Sequence, residues 1–189
     1  MHKIELQDGE RIDQLFSTDV QIIQNREVFS YSIDSVLLSR FPKMPAKKGL
    51  IVDLCSGNGA VGLFASTRTK AQIVQVELQE RLADMNRRSI ELNDLEEQLT
   101  VINDDLANLP QYDLRSKVDL MLCNPPYFKV DESSNLNESE HYLLARHEIA
   151  TNLDNICQVA QQVLKSNGRL AMVHRQDRFL DILDKLRIY

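Results

Sequence analysis

The stretch Leu50-Ile-Val-Asp-Leu-Cys-Ser-Gly-Asn-Gly59 decides the fold, because it joins a short apolar strand to a glycine-rich turn. Beyond it, segments with strand and helix periodicity alternate along the chain. The predicted strands after the turn are 72–77, 99–102, 118–123 and 169–173, and the predicted helices are 60–68, 81–95, 152–164 and 179–186. Strands that alternate with helices predict an α/β fold, in which helices cover both faces of a mainly parallel sheet.

The first 48 residues do not follow this alternation. Two apolar alternations, at 20–23 and 28–31, predict a small β-hairpin. Residues 32–41 then predict a helix whose apolar positions are Ile33, Val36, Leu37 and Phe41. We therefore predict an N-terminal hairpin and helix over 1–48, followed by one larger domain over 49–189.

Composition excludes several classes of protein. With 189 residues, 43% hydrophobic and 26% charged, the chain fits one globular domain. It has neither the roughly 18 apolar residues of a membrane span nor a secretory signal, which favours a cytoplasmic protein. Cys55, Cys123 and Cys157 form no C-x-x-C pair, which argues against a metal cluster or a disulfide framework. A net charge of −6 counts mildly against nucleic-acid binding, and a solvated helix face explains the basic residues of 165–189 better than an RNA surface does.

The glycine turn is compatible with two cofactors. The sequence Gly57-Asn-Gly-Ala-Val-Gly62 fits the dinucleotide pattern, and Glu77, 20 positions beyond Gly57, can accept hydrogen bonds from both hydroxyls of a ribose. Asp53 distinguishes the two, because its carboxylate would repel a pyrophosphate but attract the sulfonium and ammonium groups of S-adenosyl-L-methionine. The stretch therefore predicts a methyl-donor site, although an isolated glycine pattern also suits a turn that only packs a strand on a helix.

Two adjacent aspartates follow the strand at 99–102. An acidic side chain and the next backbone N–H can contact the adenine edge of a donor at this position. We assign these contacts to Asp105 and Leu106, because Asp105 directly precedes the apolar residue. Two solvated loop aspartates are the plainer interpretation.

The tetrapeptide Asn124-Pro-Pro-Tyr127 directly follows the strand at 118–123. Its prolines remove two N–H donors and leave the Asn124 side-chain oxygen and the Pro125 carbonyl as acceptors beside an aromatic ring. Two acceptors can hold both hydrogens of a planar amino group and turn its lone pair toward a methyl group, while Tyr127 stacks on a base. We therefore predict catalytic roles for Asn124, Pro125, Pro126 and Tyr127, in a methyl transfer that needs no metal and no dedicated strong base.

These motifs resemble the class I S-adenosylmethionine-dependent methyltransferases that modify amino nitrogens. More narrowly, residues 29–38, 124–129 and 145–148 are similar to the tRNA1(Val) adenine-37 N6-methyltransferases. The resemblance implies a Rossmann-like fold, S-adenosyl-L-methionine as the cofactor, and an adenine in the anticodon loop of tRNA as the target. It places Cys55, Gly57, Gly59 and Asn124 at the donor, and Tyr127, Phe128, Arg146 and His147 at the substrate. We expect a monomer with no membrane partner.

The chain departs from these families in two ways. Cys55 stands where the wider class usually has glycine, and the class ends with a helix and an antiparallel strand pair that we expect to be missing here. Protein glutamine-N5 methyltransferases share Asn-Pro-Pro-Tyr, since an amide is also a planar –NH2 group. They remain an alternative, as do other rRNA or DNA amino-methyltransferases and, from a different class, a non-catalytic nucleotide-binding module.

Overall fold

The computed structural model describes residues 4–15, 17–26, 30–125 and 152–189. The strands and helices of these segments alternate from the third strand onward, as predicted. In chain order they are β1 (Glu10–Gln14), β2 (Gln21–Asn25), α1 (Ile33–Arg40), β3 (Leu50–Leu54), α2 (Ala60–Ser66), β4 (Gln72–Glu77), α3 (Glu80–Leu92), β5 (Leu99–Asn103), β6 (Val118–Cys123), α4 (Leu153–Val163), β7 (Leu164–Met172) and α5 (Phe179–Ile188), with 3-10 helices at Leu106–Gln111 and Gln176–Arg178.

The central sheet has five described strands in the order β5-β4-β3-β6-β7, and all of its pairings are parallel. From β3 the chain first adds strands on one side, through β4 to β5, and then returns to add β6 and β7 on the other side. Ligands of such sheets bind at the carboxyl ends of the strands, where the strand order reverses. The predicted α/β class is confirmed, and the reversal falls between β3 and β6.

Two hydrophobic clusters cover the two faces of the sheet. Successive side chains of a strand point to opposite faces, so Ile51 packs with α1 and α2, whereas Val52 packs with α4. All seven residues of α2 are buried. Truncating one of the fully buried aliphatic side chains to alanine would cost about 2–5 kcal/mol.

The N-terminal hairpin pairs β2 with β1, a strand that the sequence pattern did not predict. The predicted partner segment 28–31 lies partly outside the described residues, which omit 27–29. The sequence pattern missed β1 because polar contacts hold this strand in place. Arg88 of α3 forms an ion pair with Glu10 at 2.7 Å, and the carboxyl side chain of that pair is fully buried. The division of the chain at residue 48 stays a prediction.

Helix α1 buries a different face from its apolar positions. Ser32 caps its start, as the predicted boundary requires. Of the apolar positions only Val36 is buried, whereas Ile33, Leu37 and Phe41 are 66%, 55% and 83% exposed. The buried positions are Ser35, Val36, Leu38 and Ser39, where two small serines take the place of larger apolar side chains.

The final strand is longer than predicted. β7 begins at Leu164 rather than at residue 169, and its pairing with β6 is irregular between Val118 and Leu120. Lys165, Ser166 and Asn167 make up most of this added length, so apolar periodicity could not reveal it. None of the helices in the described segments is both long enough and apolar enough to cross a membrane.

Candidate functional site

The carboxyl ends of β3, β4, β5 and β6 bring most of the predicted site residues to one edge of the sheet. Leu54 pairs with Cys123, so the chain that leaves β6 at Asn124 runs beside the glycine turn. The predicted residues at this edge are Asp53, Cys55, Gly57, Gly59, Glu77, Asp105, Leu106, Asn124 and Pro125. The predicted residues Pro126, Tyr127, Phe128, Arg146 and His147 lie outside the described residues.

The glycine turn is fixed by hydrogen bonds to the neighbouring strand. The Gly57 N–H donates to Oε2 of Glu77 at 2.8 Å, and the Ser56 N–H donates to the Val76 carbonyl at 3.0 Å. Gly59 precedes α2 with a φ of 90°, and a Cβ atom at this position would collide with the Asn86 side chain. Glycine is therefore needed at position 59 for its backbone conformation and for the close approach of α3.

Cys55 begins the same turn in a conformation that favours glycine. Its φ is 56°, which lies in the left-handed region. The Cys123 thiol donates a hydrogen bond to Cys55, and this bond together with burial raises the pKa of Cys123. The side chain of Cys55 therefore contacts the end of β6, while its backbone makes the turn.

Glu77 links the glycine turn to the start of α3. Besides the bond from Gly57, its Oε1 accepts a hydrogen bond from the Gln79 N–H at 2.8 Å. The side chain is buried, and burial raises the pKa of its carboxyl group. Each carboxylate oxygen has about two acceptor positions, so both oxygens can accept one further donor. That capacity matches the two hydroxyls of a ribose.

Asp53 is fully buried beneath the turn. Its Oδ2 accepts a hydrogen bond from the Gly62 N–H at 3.1 Å, while its Oδ1 has no hydrogen-bond partner in the described residues. Burial, reinforced by the charge of Glu77, raises the pKa of this carboxyl to about 8. A cationic group nearby would restore the ionised form, whereas a phosphate would oppose it. The pair therefore fits the cationic S-adenosyl-L-methionine better than a dinucleotide.

The two aspartates after β5 differ from each other in their contacts. Asp104 accepts hydrogen bonds from the Asp105 N–H at 2.7 Å and from the Tyr112 hydroxyl at 2.8 Å. Hydrogen bonds from the side chains of Asn108 and Tyr112 lower the pKa of Asp104. This carboxylate therefore serves the structure of its own loop.

Asp105 caps the 3-10 helix Leu106–Gln111, where its Oδ1 accepts a hydrogen bond from the Ala107 N–H at 2.9 Å. Within the part of the chain that the structure describes, its other oxygen accepts no hydrogen bond and can meet a ligand. The Leu106 side chain is buried in the core, so only its backbone can contribute to a site.

Three buried polar side chains around the turn were not found from the sequence. Asn58 donates to the Ile23 carbonyl of β2 at 3.0 Å. Gln75 of β4 donates to Asn86 of α3 at 3.0 Å, and Asn86 in turn contacts the Ser56 hydroxyl at 3.4 Å. The sequence signal that could have found these three residues is a polar side chain at a position where the periodicity predicts burial. The described residues contain no group of three or more His, Cys, Asp or Glu side chains arranged to hold a metal ion.

The sequence matches the methyltransferase small domain family over residues 19–187. The chain belongs to this family. A methyltransferase domain agrees with a buried carboxylate pair beside a glycine turn.

Three curated relatives of this methyltransferase domain carry the name tRNA1(Val) (adenine(37)-N6)-methyltransferase. The protein of Shewanella loihica is 27% identical over 163 residues, which cover 83% of this chain and 65% of the relative. Those of Shewanella halifaxensis and Aliivibrio fischeri are 29% and 30% identical, each over 75% of this chain and over 56% and 58% of the relative. The chain thus spans between 56% and 65% of the length of these relatives.

Solved structures with the same fold are more distant in sequence. Pyrococcus horikoshii TYW2 in complex with MeSAdo superposes with a TM-score of 0.67 at 13% identity, over 96% of this chain and 60% of that one. Geranyl diphosphate C-methyltransferase of Streptomyces coelicolor, solved with Mg²⁺, geranyl diphosphate and S-adenosyl-L-homocysteine, gives 0.58 at 15% identity, over 75% and 45%. The predicted Rossmann-like class I methyltransferase fold is confirmed.

Proposed function

We propose that the whole protein transfers a methyl group from S-adenosyl-L-methionine to the exocyclic N6 of an adenine in the anticodon loop of tRNA. The observation that carries the proposal is the register of β3 and β6. It sets the Asn124-Pro125 step beside a glycine turn with buried carboxylates. The names of the curated relatives, which act on adenine 37 of tRNA1(Val), support the choice of substrate.

The donor contacts are divided among three strand ends. Glu77 accepts hydrogen bonds from the two ribose hydroxyls. It uses the acceptor positions on its carboxylate that the Gly57 and Gln79 N–H groups do not occupy. Asp53 offers its unpartnered Oδ1 toward the cationic end of the donor. Asp105, with the Leu106 N–H, contacts the adenine edge. When bound, S-adenosyl-L-methionine supplies a methyl group on a positively charged sulfur.

Asn124 and Pro125 prepare the attacking amine. The N6 lone pair of adenine is delocalised into the ring, so the amine is a poor nucleophile in the plane of the base. The Asn124 side-chain oxygen and the Pro125 carbonyl each accept a hydrogen bond from one N–H of the amine. Together these two bonds turn the nitrogen lone pair toward the methyl group. Positioning supplies most of the rate, and the proton leaves after attack.

The target base must leave its stack to reach the site, at a cost of a few kcal/mol. Stacking on Tyr127, assisted by Phe128, compensates for about 1–3 kcal/mol of this cost. Arg146 and His147 contact the neighbouring phosphates in this proposal. These four assignments rest on the sequence motifs alone.

Replacing Asn124 with alanine tests the proposal most directly. We expect turnover to fall roughly 10²- to 10³-fold, because one of two preorganised acceptors is lost, while donor affinity changes less than about tenfold. The measurement is methyl transfer from labelled donor to total tRNA, with the nucleosides identified by mass spectrometry as N6-methyladenosine. Asn167→Ala, an exposed asparagine of β7, is the matched control.

Two results would contradict the proposal. Wild-type turnover in Asn124→Ala would remove the amine-orienting role. A wild-type protein that is inactive on tRNA but methylates a glutamine of a release factor would replace the substrate and leave the chemistry of the amino group unchanged.

A further inference from the structure

The basic side chains of the described residues fall into two groups that differ in their partners. Between 165 and 189, every Lys and Arg except Arg169 forms an ion pair with a carboxylate, as in the 2.7 Å contacts Lys165–Asp119 and Lys185–Asp154. This C-terminal segment is therefore a solvated, charge-paired surface.

A second group lies at the amino ends of the strands, opposite the candidate site. Residues 40–70 contain six Lys or Arg and one acidic residue, Asp53, which is fully buried at the other end of β3. We name this group the amino-edge cluster. Its members are Arg40, Lys43, Lys47, Lys48, Arg68, Lys70 and Arg169, and the described residues give none of them an ion pair.

Hydrogen bonds to backbone carbonyls hold the amino-edge cluster together. Arg68 donates to the carbonyls of Ser39 and Pro42, and Arg169 donates to the Lys43 carbonyl. Lys43, Lys47 and Lys48 are exposed, and no described residue forms a hydrogen bond with their side chains. The two arginines thus fix the loop, while the lysines present free charges on it.

The acidic groups near this edge form no ion pair with the cluster in the described residues. Asp119 is engaged by Lys165 and by the Leu50 N–H. Asp94, Glu96 and Glu97 precede β5 at the same edge, and none of them is paired with a member of the cluster. A chain with a net charge of −6 therefore carries a local concentration of unpaired positive charge.

We propose that the amino-edge cluster binds backbone phosphates of the RNA substrate, an inference that rests on the proposed function. When lysines without protein partners neutralise phosphates, the counterions condensed on the nucleic acid are released, and this release favours binding. The cluster combines residues 40–48 with Arg68, Lys70 and Arg169, so it forms a broad surface rather than one helix face. Phe41, 83% exposed between Arg40 and Lys43, offers an aromatic face to a base, a pairing typical of RNA surfaces.

The distance to the candidate site suits one RNA molecule that occupies both. β3 separates the two edges by five residues, about 17 Å. A base-paired RNA stem can rest on the amino-edge cluster while a base from its loop enters the site.

The test compares two triple variants of the whole protein that remove the same charge. Lys43→Gln, Lys47→Gln and Lys48→Gln change the cluster, and the control replaces Arg87, Lys185 and Arg187, which sit in ion pairs on α3 and α5, with glutamine. Binding to total tRNA is measured from about 50 to 200 mM salt, with S-adenosyl-L-homocysteine binding and melting temperature in parallel. We expect the cluster variant to bind tRNA at least tenfold more weakly, with a salt slope lower by about two to three. The control should stay within about twofold of wild type.

Each other result overturns the inference in a recognisable way. Wild-type tRNA affinity or an unchanged salt slope in the cluster variant excludes phosphate contacts at these lysines, and leaves the proposed function standing. A wild-type chain that binds S-adenosyl-L-homocysteine but no tRNA removes the proposed substrate together with this surface. Anionic phospholipid vesicles bound by wild type and released by the cluster variant, with tRNA binding unchanged, assign the surface to a membrane.

Discussion

The carboxylates of β3 and β4 and those that follow β5 lie at the same edge of the sheet, yet they behave in opposite ways. Asp53 and Glu77 are buried, and burial raises the pKa of both. Asp104 is accessible to water, and hydrogen bonds lower its pKa. The first pair accepts hydrogen bonds from the Gly57 and Gly62 N–H groups of other elements, and Glu77 accepts a further, local one from Gln79. In the described residues the second pair bonds only within its own loop.

The difference depends on where each carboxylate lies along the carboxyl edge of the sheet. Inner strands place their terminal side chains under neighbouring strands and helices, so Asp53 and Glu77 are preorganised and respond strongly to an added charge. β5 is an edge strand of the described sheet, and its loop aspartates stay hydrated. Substitutions at the inner pair should therefore have larger effects on donor binding than substitutions after β5.

The largest effect is expected for Glu77→Ala. It removes the proposed acceptor for two ribose hydroxyls. Each hydrogen bond to a charged group is worth about 1.5–3 kcal/mol, so donor affinity should fall at least a hundredfold. It also leaves the Gly57 and Gln79 N–H groups without acceptors, which lowers the free energy of unfolding by about 1–3 kcal/mol for each.

Calorimetry with S-adenosyl-L-homocysteine and thermal melting measure the two effects of Glu77→Ala. Glu77→Gln is the control, since it keeps the volume and one acceptor oxygen and should retain more stability than affinity. A folded alanine variant with unchanged affinity would remove the ribose assignment.

Asp53→Asn should change the pH dependence of stability. The Asp53 carboxyl has a pKa of about 8 in the folded state and near 4 in the unfolded state. Between about pH 4 and pH 8 it therefore keeps its proton in the folded protein and loses it on unfolding. The wild-type free energy of unfolding should therefore fall from about pH 4 to pH 8, by at most about 1.4 kcal/mol per pH unit. The asparagine variant should lose most of this slope. A smaller slope of the same sign should remain, because the pKa of Glu77 is also raised.

Melting temperatures across this pH range decide the outcome for Asp53. A variant that keeps the full wild-type slope would show that another group is the source. Asp113→Asn, on the surface and paired with Lys117, should leave the slope as it is.

Asp105→Ala and Asp104→Ala should separate binding from loop structure. Loss of the Asp105 cap should lower stability by about 1 kcal/mol. Loss of an adenine contact should lower donor affinity roughly tenfold or less. Asp104→Ala removes acceptors from the Asp105 N–H, Asn108 and Tyr112, so it should reduce stability more than affinity. Calorimetry and melting of both variants would contradict this order if Asp104 had the larger effect on affinity.

Cys55→Gly should have the smallest effect on the donor. Glycine accepts a φ of 56° without strain, and the turn contributes through its backbone. Donor affinity should stay within about threefold of wild type. A larger loss, measured by the same calorimetry and confirmed with Cys123→Ala as a comparison, would show that the thiol contact with β6 shapes the site.

The apolar periodicity of the chain was sufficient to predict β3, β4, β6 and the alternation of strands and helices, because a parallel sheet buries continuous apolar runs. The glycine spacing and the position of Asp53, Glu77 and Asn124 after strands placed them at one edge, since carboxyl ends of parallel strands meet there. β1, the inner face of α1 and the start of β7 escaped prediction, because polar contacts or small residues hold them.

Tertiary structure decided which polar groups are buried together. Nothing local in the sequence shows that Gly59 must leave room for Asn86, or that Glu77 holds the Gly57 N–H. Nor does it separate the paired cations of 165–189 from the unpaired ones of the amino-edge cluster, because an ion pair depends on which carboxylate the fold brings near. Local sequence sets periodicity and chain direction, whereas burial and partner choice are properties of residues far apart in the chain.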